Sequence, residues 1–379
     1  MRRIDHPLAG TSLGQSSTLT SLHFGLPGAR PKAYLQASLH AGELPGMLAA
    51  HHLRDLLQRA EDSGQIIGEV VLVPVANPIG LAQRIDHTAM GRFELNSSEN
   101  FNRHYPDLAG AVFAQVMGRL GTDAVANVAL VRSAAATWVA TMPAASAVQS
   151  LRRTLVGLAL DADLVLDLHC DCEAVMHVYS ETACWPQIEP LAHLLQARAV
   201  LLASNTGASS FDECLSGLWW QLAGRVAAAT GPTPSPIALP QACASATVEL
   251  RGEVQVSHAL AQSDAKALFG FLQHGGCIAG VPPDLPPASC MATPLAGSQT
   301  AKAPSAGMVV FMASPGDALQ VGDAIAEVID PIANTTVTVR AEVAGVLYAR
   351  TNDRYALAND DLANIAGSVA YRTGPLLGA

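Results

Sequence analysis

The sequence predicts an α/β fold, a mainly parallel or mixed sheet flanked by helices, followed by a small all-β domain. Up to about residue 275, short apolar runs alternate with segments of helical periodicity, a pattern typical of a sheet covered by helices. Beyond it, a Pro-rich stretch leads into short strands separated by Gly-Asp turns, which favours a small barrel or sandwich. We therefore expect a main domain over residues 1–280, a linker over 281–303 and a β barrel over 304–379.

The elements of the main domain are predicted from hydrophobic pattern and length. Short apolar runs predict buried strands, and apolar residues spaced by three and four predict helices. The strands are expected at Ala33–Leu39, Glu69–Val75, Leu164–Leu168, Ala199–Ala203 and Ala246–Leu250. The helices are expected at Pro45–Arg59, Leu108–Leu120, Ala144–Leu160, Ser216–Thr230 and His258–His274. The polar stretch from Ile79 to Pro106 is expected to be a long loop, and such loops in compact domains are usually functional or disordered.

The small domain is predicted from short strands and turn residues. Its strands are expected at Gly307–Met312, Ala324–Ile329, Thr336–Val343 and Gly345–Arg350. The stretch APSAGMVVFMA resembles VRAEVAGVLYA further along the chain, which indicates a weak two-fold repeat.

Composition predicts a globular protein and excludes several partners. Half of the residues are hydrophobic and 14% are charged, which suits a large buried core. The net charge is −10 without a cluster of Lys and Arg, so nucleic acid is not expected as a partner. We find neither a signal-peptide pattern nor the roughly 18 uninterrupted apolar residues of a membrane span. The seven cysteines favour reduced thiols, so we expect a cytoplasmic protein without membrane contact; a homo-oligomer stays open.

Three predicted strands each carry a polar side chain at or near their carboxyl end. His40 and His169 follow the first and third strands, and Glu249 lies near the end of the last. In parallel sheets the ligand site lies beyond the carboxyl ends of the strands. The sequence therefore predicts that these three side chains face one crevice.

The two histidines occur in patterns that suit a metal site. Catalytic zinc takes three N or O ligands and leaves one position for water. His40 and Glu43 can converge on one ion if the chain turns between them, and Pro45 suits the first turn of a following helix. His169 follows Asp167, a carboxylate that can fix the tautomer of a ligand histidine. The alternative for His40 and Glu43 is an ordinary boundary between a loop and a helix. The alternative for His169 is a buried histidine with satisfied hydrogen bonds.

Glu249 interrupts an apolar strand, Ala246–Leu250. Burying a carboxylate is costly unless it has a partner or a task. Near zinc, Glu249 would take a proton from water as a general base. The alternative is an ion pair with Arg251 or another arginine.

The long polar loop supplies arginines that suit an anionic substrate. It ends in Asn100–Arg103, and Arg84 and Arg92 precede that segment. Arg binds carboxylates in bidentate fashion and can stabilise an oxyanion. The alternative is a solvated loop with ordinary surface arginines.

Cys170 and Cys172 flank Asp171 directly after His169. A thiolate could compete for zinc, but we favour structural thiols packed behind the site. Asp171 is a candidate partner for a cationic group of the substrate.

These motifs together form a family resemblance. HAGE at 40–43, NFNR at 100–103, DLH at 167–169 and VELR at 248–251 occur in the order seen in zinc carboxypeptidases. They resemble more specifically the succinylglutamate desuccinylase/aspartoacylase branch, over roughly residues 30–275. The segments GRF, NFNRHYPD and DLHCD resemble bacterial deacylases of that branch, which include N-acetyl-diaminobutyrate deacetylases.

The resemblance implies a zinc-carboxypeptidase-like catalytic domain with one Zn²⁺ per chain and a small N-acyl amino acid as substrate. It implies that Glu249 activates the water and that Arg92, or less favourably Arg84, polarises the scissile carbonyl. Asn102 and Arg103 would bind the substrate carboxylate. The implied zinc ligands are His40, Glu43 and His169. A peptide-cleaving metallocarboxypeptidase and a non-catalytic binding protein remain alternatives. The covering tyrosine of carboxypeptidases has no clear counterpart; Tyr179 is a candidate, although packing is the favoured interpretation.

The C-terminal domain resembles biotinyl/lipoyl barrels through its APxxG and PGDxxxxGD phrases. The attachment lysine expected between its halves is missing from residues 330–339, which read DPIANTTVTV. We therefore expect a shielding or assembly role beside the active-site mouth and not a carrier role.

Overall fold

The computed structural model describes residues 1–10, 12–231 and 236–377. Its helices lie in the first 274 residues, and two 3-10 turns occur at Met117–Arg119 and Leu295–Gly297. The helices are α1 (Pro45–Asp62), α2 (Pro78–Leu81), α3 (Leu108–Val116), α4 (Ala124–Val139), α5 (Ala147–Ala159), α6 (Trp185–Leu194), α7 (Phe211–Thr230) and α8 (His258–His274).

The strands fall into two groups along the chain. The first group is β1 (Arg2–Leu8), β2 (Ser17–Gly25), β3 (Lys32–Ala37), β4 (Glu69–Val73), β5 (Arg84–Ile85), β6 (Thr88–Ala89), β7 (Leu164–Asp171), β8 (Glu173–Ala174), β9 (His177–Glu181), β10 (Ala199–Ala203), β11 (Ala244–Gly252) and β12 (Ala292–Pro294). The second group is β13 (Gln299–Lys302), β14 (Gly307–Phe311), β15 (Ala318–Leu319), β16 (Ala324–Asp330), β17 (Thr335–Arg340), β18 (Gly345–Arg350), β19 (Tyr355–Ala356) and β20 (Asp361–Gly367).

The main sheet is mixed, with a parallel centre. Within the described residues its strand order is β1-β2-β4-β3-β7-β11-β9-β10-β12. The central neighbours β4, β3, β7 and β11 run parallel, whereas β1 and β2 add antiparallel strands at one edge. Successive side chains of a strand point to opposite faces. Tyr34 therefore belongs to the core on one face, with residues of α3, α4, α5 and α7, and Leu35 belongs to the core on the other face, with residues of α1, α6 and α8. The predicted α/β class, with a sheet flanked by helices, is confirmed.

The order of the central strands explains how distant segments meet. Ala37 at the end of β3 lies beside Leu168 of β7, and His169 of β7 lies beside Glu249 of β11. Because these strands are parallel, their carboxyl ends share one edge of the sheet. That edge carries all three predicted site segments.

The C-terminal region consists of two small antiparallel sheets, as the predicted all-β class requires. Their orders are β13-β20-β18-β15 and β17-β16-β14-β19, around a core that includes Val309, Ile325 and Leu347. β18 also pairs with β8, so the first of these sheets is hydrogen-bonded to the segment that follows β7. The segment predicted as a linker, residues 281–303, contributes β12 to the main sheet and begins β13 at Gln299. The domain boundaries stay a prediction.

Several elements differ from the sequence-based expectation. Residues 79–106, expected to be one loop, contain most of α2 and the β5–β6 hairpin. β7 continues through His169 to Asp171, whereas β3 ends three residues before His40. Among the described residues no helix is both long and apolar enough to cross a membrane. The cytoplasmic location stays a prediction.

Candidate active site

A tight turn between β3 and α1 delivers His40 and Glu43. Ser38 has a φ of 60°, in the left-handed region that reverses a strand's direction. Its hydroxyl donates a 2.7 Å hydrogen bond to the carbonyl of Glu43, and the Glu43 amide donates to the carbonyl of His40 at 3.0 Å. Pro45 then opens α1 at a position where no amide hydrogen is needed. This turn places both side chains on the same side of the sheet edge.

The turn and β7 bring three metal-ligand side chains into contact. Nδ1 of His40 lies 3.0 Å from Oε1 of Glu43, and Nδ1 of His169 lies 2.7 Å from Oε2 of the same carboxylate. One ligand atom from each residue lies within 4.8 Å of the others, and all three residues are buried. Two imidazoles and a carboxylate match the donor set of a catalytic zinc site, which keeps one position open.

The outer nitrogens of both imidazoles lie close to acceptor oxygens. Nε2 of His40 lies 2.9 Å from Oδ1 of Asn100, and Nε2 of His169 lies 3.0 Å from Oδ2 of Asp167. Gln36 in turn donates to the other oxygen of Asp167 at 2.9 Å. A ring that donates through Nε2 presents the Nδ1 lone pair to the centre. The residues present therefore fit a divalent metal ion.

The side chains of this cluster shift one another's pKa values. Burial opposes ionisation of Glu43, but His169 and His40 hold the pKa of its carboxyl well below the ordinary value. Burial likewise disfavours a charged His169, yet Asp167 and Glu43 raise the pKa of its imidazole well above the ordinary value. A metal ion bound here would have to displace that proton, because a ligand histidine is neutral.

Glu249 lines the same cavity. Burial, then the nearby Glu43, raises the pKa of the Glu249 carboxyl well above its usual range. Among the described residues none donates a hydrogen bond to its Oε2. Arg251, the alternative ion-pair partner, instead contacts Asp264 at 2.5 Å. Glu249 is thus a buried carboxyl group with a high proton affinity beside the metal-ligand cluster.

The polar loop brings Arg92 and Asn102 to the cluster. One Nη of Arg92 lies 3.3 Å from Nδ1 of His40 and 3.6 Å from Oε1 of Glu43, while half of its side chain stays exposed. Asn102 accepts a 2.9 Å bond from the Phe211 amide through Oδ1, so its NH₂ group faces His169, with Nδ2 3.5 Å from Nε2. These positions put N–H donors of both side chains beside the metal-ligand cluster.

The two remaining arginines of the prediction lie in different places. Arg103 lines the cavity, and one of its Nη atoms donates to the carbonyl of Asn102 at 2.8 Å. Arg84 is exposed on the β5–β6 hairpin, where it donates to the carbonyl of His87 at 3.3 Å. Arg84 is not among the described residues that line the cavity. Of the two candidate arginines, Arg92 thus lies at the metal-ligand cluster, whereas Arg84 lies on the exposed hairpin.

A cavity of about 290 Å³ extends from this cluster. Leu295, Asp361 and Leu377 close part of its wall, so the C-terminal region contributes to it. The cavity is rich in acidic groups. Its carboxylates among the described residues are Glu43, Asp171, Glu181, Asp212, Glu213, Glu249, Glu253 and Asp361.

Three of these carboxylates form an acidic wall (Glu181, Asp212 and Glu213) that the sequence did not reveal. Burial raises the pKa of Glu181 to about 8, although Ser216 and Trp220 donate hydrogen bonds to it. Burial and the neighbouring Glu213 raise the pKa of Asp212 to about 6. The acidic residues at the start of α7 were a possible signal, but they also suit an ordinary helix N-terminus.

The cysteines and Asp171 also lie at the cavity. Burial raises the pKa of Cys172 to about 11 and that of Cys170 further, so thiolate ligands are not favoured here. The Cys172 amide donates a 2.7 Å bond to Oδ1 of Asp171. Tyr179 lines the cavity as well, and its hydroxyl lies 3.5 Å from that of Tyr348 in the C-terminal region.

Comparisons with known proteins agree with this architecture. The model of the succinylglutamate desuccinylase/aspartoacylase catalytic domain matches residues 29–116. A crystal structure of a protein of that family from Shewanella amazonensis is 25% identical, with a TM-score of 0.82 and coverage of 97% of this chain and 98% of the other. Among curated proteins, none matches the chain significantly.

Two further structures share the fold. One, described as a succinylglutamate desuccinylase/aspartoacylase from Shewanella frigidimarina, is 22% identical over 97% of each chain, with a TM-score of 0.81. The product-bound ectoine utilization protein EutE (DoeB) from Ruegeria pomeroyi is 18% identical over 96% of this chain and 94% of its own, with a TM-score of 0.66. The resemblance that the motifs predicted is therefore confirmed: residues 29–116 match the catalytic-domain model of the succinylglutamate desuccinylase/aspartoacylase family, and structures described as members of that family share the fold over 97% of this chain.

Proposed function

We propose that this protein is a zinc-dependent deacylase that hydrolyses the amide bond of a small N-acyl amino acid. One observation carries the proposal. His40, Glu43 and His169 offer ligand atoms within 4.8 Å of one another, and Glu249 lines the cavity that they share. This is the combination of metal ligands and a base that metal-assisted hydrolysis requires.

Each residue then has a separate task. Zinc held by His40, Glu43 and His169 would lower the pKa of its water toward about 7 and polarise the amide carbonyl. Glu249 takes the proton of the attacking water and passes it to the leaving nitrogen, a task that suits a carboxyl group with a raised pKa. Arg92 stabilises the negative charge that develops on the carbonyl oxygen.

The remaining donors orient the substrate. The NH₂ group of Asn102 is available because its carbonyl oxygen is already bound to the Phe211 amide. Together with Arg103 it would bind the carboxylate of the amino acid, since Arg favours that group. Asp171 would bind a cationic group of the amine portion, as in a diamino acid of the N-acetyl-diaminobutyrate type. The abundance of carboxylates around the cavity supports that choice.

Cavity shape favours small substrates over peptides. A metallocarboxypeptidase needs a cleft that is open along the peptide, whereas Leu295, Asp361 and Leu377 close part of this wall. The shielding role expected for the C-terminal domain is consistent with this placement.

The decisive variant is Glu249→Gln. We expect it to keep zinc at wild-type affinity and to lose about 10²–10⁴-fold in kcat on N-acyl amino acids, because only proton transfer is removed. Zinc content and turnover of a panel of N-acetyl and N-succinyl amino acids are the measurements. Glu253→Gln is the matched control, since Glu253 lines the same cavity without a proposed role.

Three results would contradict the proposal. Near wild-type turnover by Glu249→Gln would remove the assigned base. Zinc binding without turnover of any substrate would indicate a binding protein. Release of C-terminal residues from peptides would indicate a carboxypeptidase.

A further inference from the structure

A second group of histidines lies away from the cavity, on the outer side of α1. Nε2 of His52 lies 3.0 Å from Nδ1 of His258, the first residue of α8. The two rings are 5.2 Å apart between centroids and inclined by 78°, and the ring of His51 lies 5.1 Å from that of His52. Two helices far apart in the sequence thus present imidazole nitrogens to one point.

The separation of these nitrogens suits a metal ion. Two nitrogens 3.0 Å apart and about 2.0–2.1 Å from one ion subtend about 95° at that ion. This angle is close to the about 90° between neighbouring ligands of tetragonal Cu²⁺ or Ni²⁺, and imidazole is a preferred ligand of both ions. A simple N–H···N hydrogen bond between the rings is the competing explanation for the same distance.

The surroundings of His52 also favour its neutral form. Desolvation and the neighbouring His51 and His258 lower the pKa of His52, while Asp55 acts in the opposite direction. A neutral imidazole has a free lone pair at one nitrogen. Asp55 lies one turn further along α1 and adds negative charge close to the pair.

The geometry points to a second metal site: we infer that His52 and His258 bind a divalent transition-metal ion of the Cu²⁺ or Ni²⁺ type. This helix-pair site (His52 and His258) is separate from the His40 cluster, and water, His51 or Asp55 would complete its coordination. An ion there would join α1 to α8. α1 begins two residues after Glu43, so the two sites lie on one continuous segment of chain.

Titration with Cu²⁺ tests this inference. We expect the wild-type protein to bind two Cu²⁺ ions. His52→Ala and His258→Ala should each lose at least about tenfold in affinity for the ion at the helix-pair site. His40→Ala should lose the ion at the His40 cluster. Electron paramagnetic resonance should show coupling to nitrogen in His40→Ala protein that disappears when His52 is also replaced. His274→Ala, at the opposite end of α8, is the matched control and should bind like wild type.

A thermal measurement gives an independent readout. A second equivalent of Cu²⁺ should raise the melting temperature of the wild type and leave that of His52→Ala unchanged, because an ion that joins two helices stabilises the folded state. His52 is partly exposed and His258 is exposed, so both variants should fold. Binding of only one Cu²⁺ ion per wild-type chain would overturn the inference. Unchanged Cu²⁺ affinity in His52→Ala or His258→Ala would overturn it as well. Neither result would bear on the proposed deacylase activity, which does not use these residues.

Discussion

Glu43 and Glu181 are both buried beside one cavity, yet the pKa of their carboxyl groups moves in opposite directions. Burial raises the pKa of each, but His169 and His40 more than reverse the effect at Glu43. Glu181 receives only neutral donors, Ser216 and Trp220, so its pKa rises to about 8. The comparison shows that burial raises the pKa of both carboxyl groups and that neighbouring positive charges decide whether this increase is reversed.

This difference divides the cavity into two functional ends. The end with Glu43 holds a negative charge between two imidazoles and is organised for a cation of high charge. In the acidic wall, the pKa of Glu181 is raised to about 8 and that of Asp212 to about 6, so the Glu181 carboxyl group can retain its proton near neutral pH and donate a hydrogen bond.

The largest effect is expected from His40→Ala, which removes one of the two imidazoles that keep Glu43 ionised. A site with two remaining ligands should lose its zinc on dialysis, and activity should fall to background because metal and turnover depend on the same residues. Metal analysis after dialysis and assays on N-acyl amino acids measure both. His274→Ala should retain metal and activity. Zinc retained by His40→Ala at wild-type affinity would refute the assigned ligand set.

The next effect concerns stability at the acidic wall. The folded-state pKa of Glu181, about 8, lies above the ordinary 4.5, so between these values the unfolded chain releases a proton that the folded protein retains. The associated stability is present below about pH 4.5 and is lost as the pH rises to about 8. Glu181→Gln should remove this pH-dependent loss in the free energy of unfolding. The loss is at most a few kcal/mol, because each unit of pKa difference between the folded and unfolded states corresponds to about 1.4 kcal/mol.

Denaturant unfolding of wild type and Glu181→Gln at several pH values between 5 and 8 measures this difference. The stability of the variant relative to wild type should increase with pH. A constant difference across this range would mean that Glu181 is ionised in the folded protein, and the contrast with Glu43 would disappear.

Much of the fold and of the metal-ligand end was predictable, because its signals are local. The bounds of β10 and α8 agree with the prediction, since a short apolar run and a long periodic segment leave little ambiguity. His40, His169 and Glu249 each follow or end an apolar strand, so the parallel order of β3, β7 and β11 was sufficient to bring them together. Local pattern and one topological rule were enough here.

The rest depends on tertiary contacts that no local pattern contains. β1 is an edge strand with mostly exposed or partly exposed residues, and α4 is rich in alanine without a strong apolar stripe, so neither was predicted. Glu181 ends β9 and meets Ser216 only where α7 crosses the sheet. Arg84 belongs to the same polar loop as Arg92, and only the hairpin geometry separates them.

A smaller effect is expected from the residues that fix the imidazole tautomers. Asp167→Asn keeps the shape of the acceptor of His169 Nε2 but removes its charge. We expect zinc affinity to fall about 10–100-fold, as is usual when a hydrogen-bond partner of a ligand histidine is changed. The position of the Glu43 carboxylate should change little. Competition with a chelator gives the affinity. Unchanged affinity would show that Asp167 serves packing and not the metal-ligand end.

The smallest predicted effect tests the substrate proposal at Asp171. If the Asp171 carboxylate binds a cationic group of the substrate, Asp171→Ala should lower kcat/KM for basic N-acyl amino acids. The decrease should be less than about tenfold, because Asp171 is partly exposed and water screens its interaction with the substrate cation. Neutral N-acyl amino acids should be hydrolysed at the wild-type rate, so the ratio of the two kcat/KM values is the measurement. An unchanged ratio would remove Asp171 from substrate recognition and leave the acidic wall as the part of the cavity that selects charge.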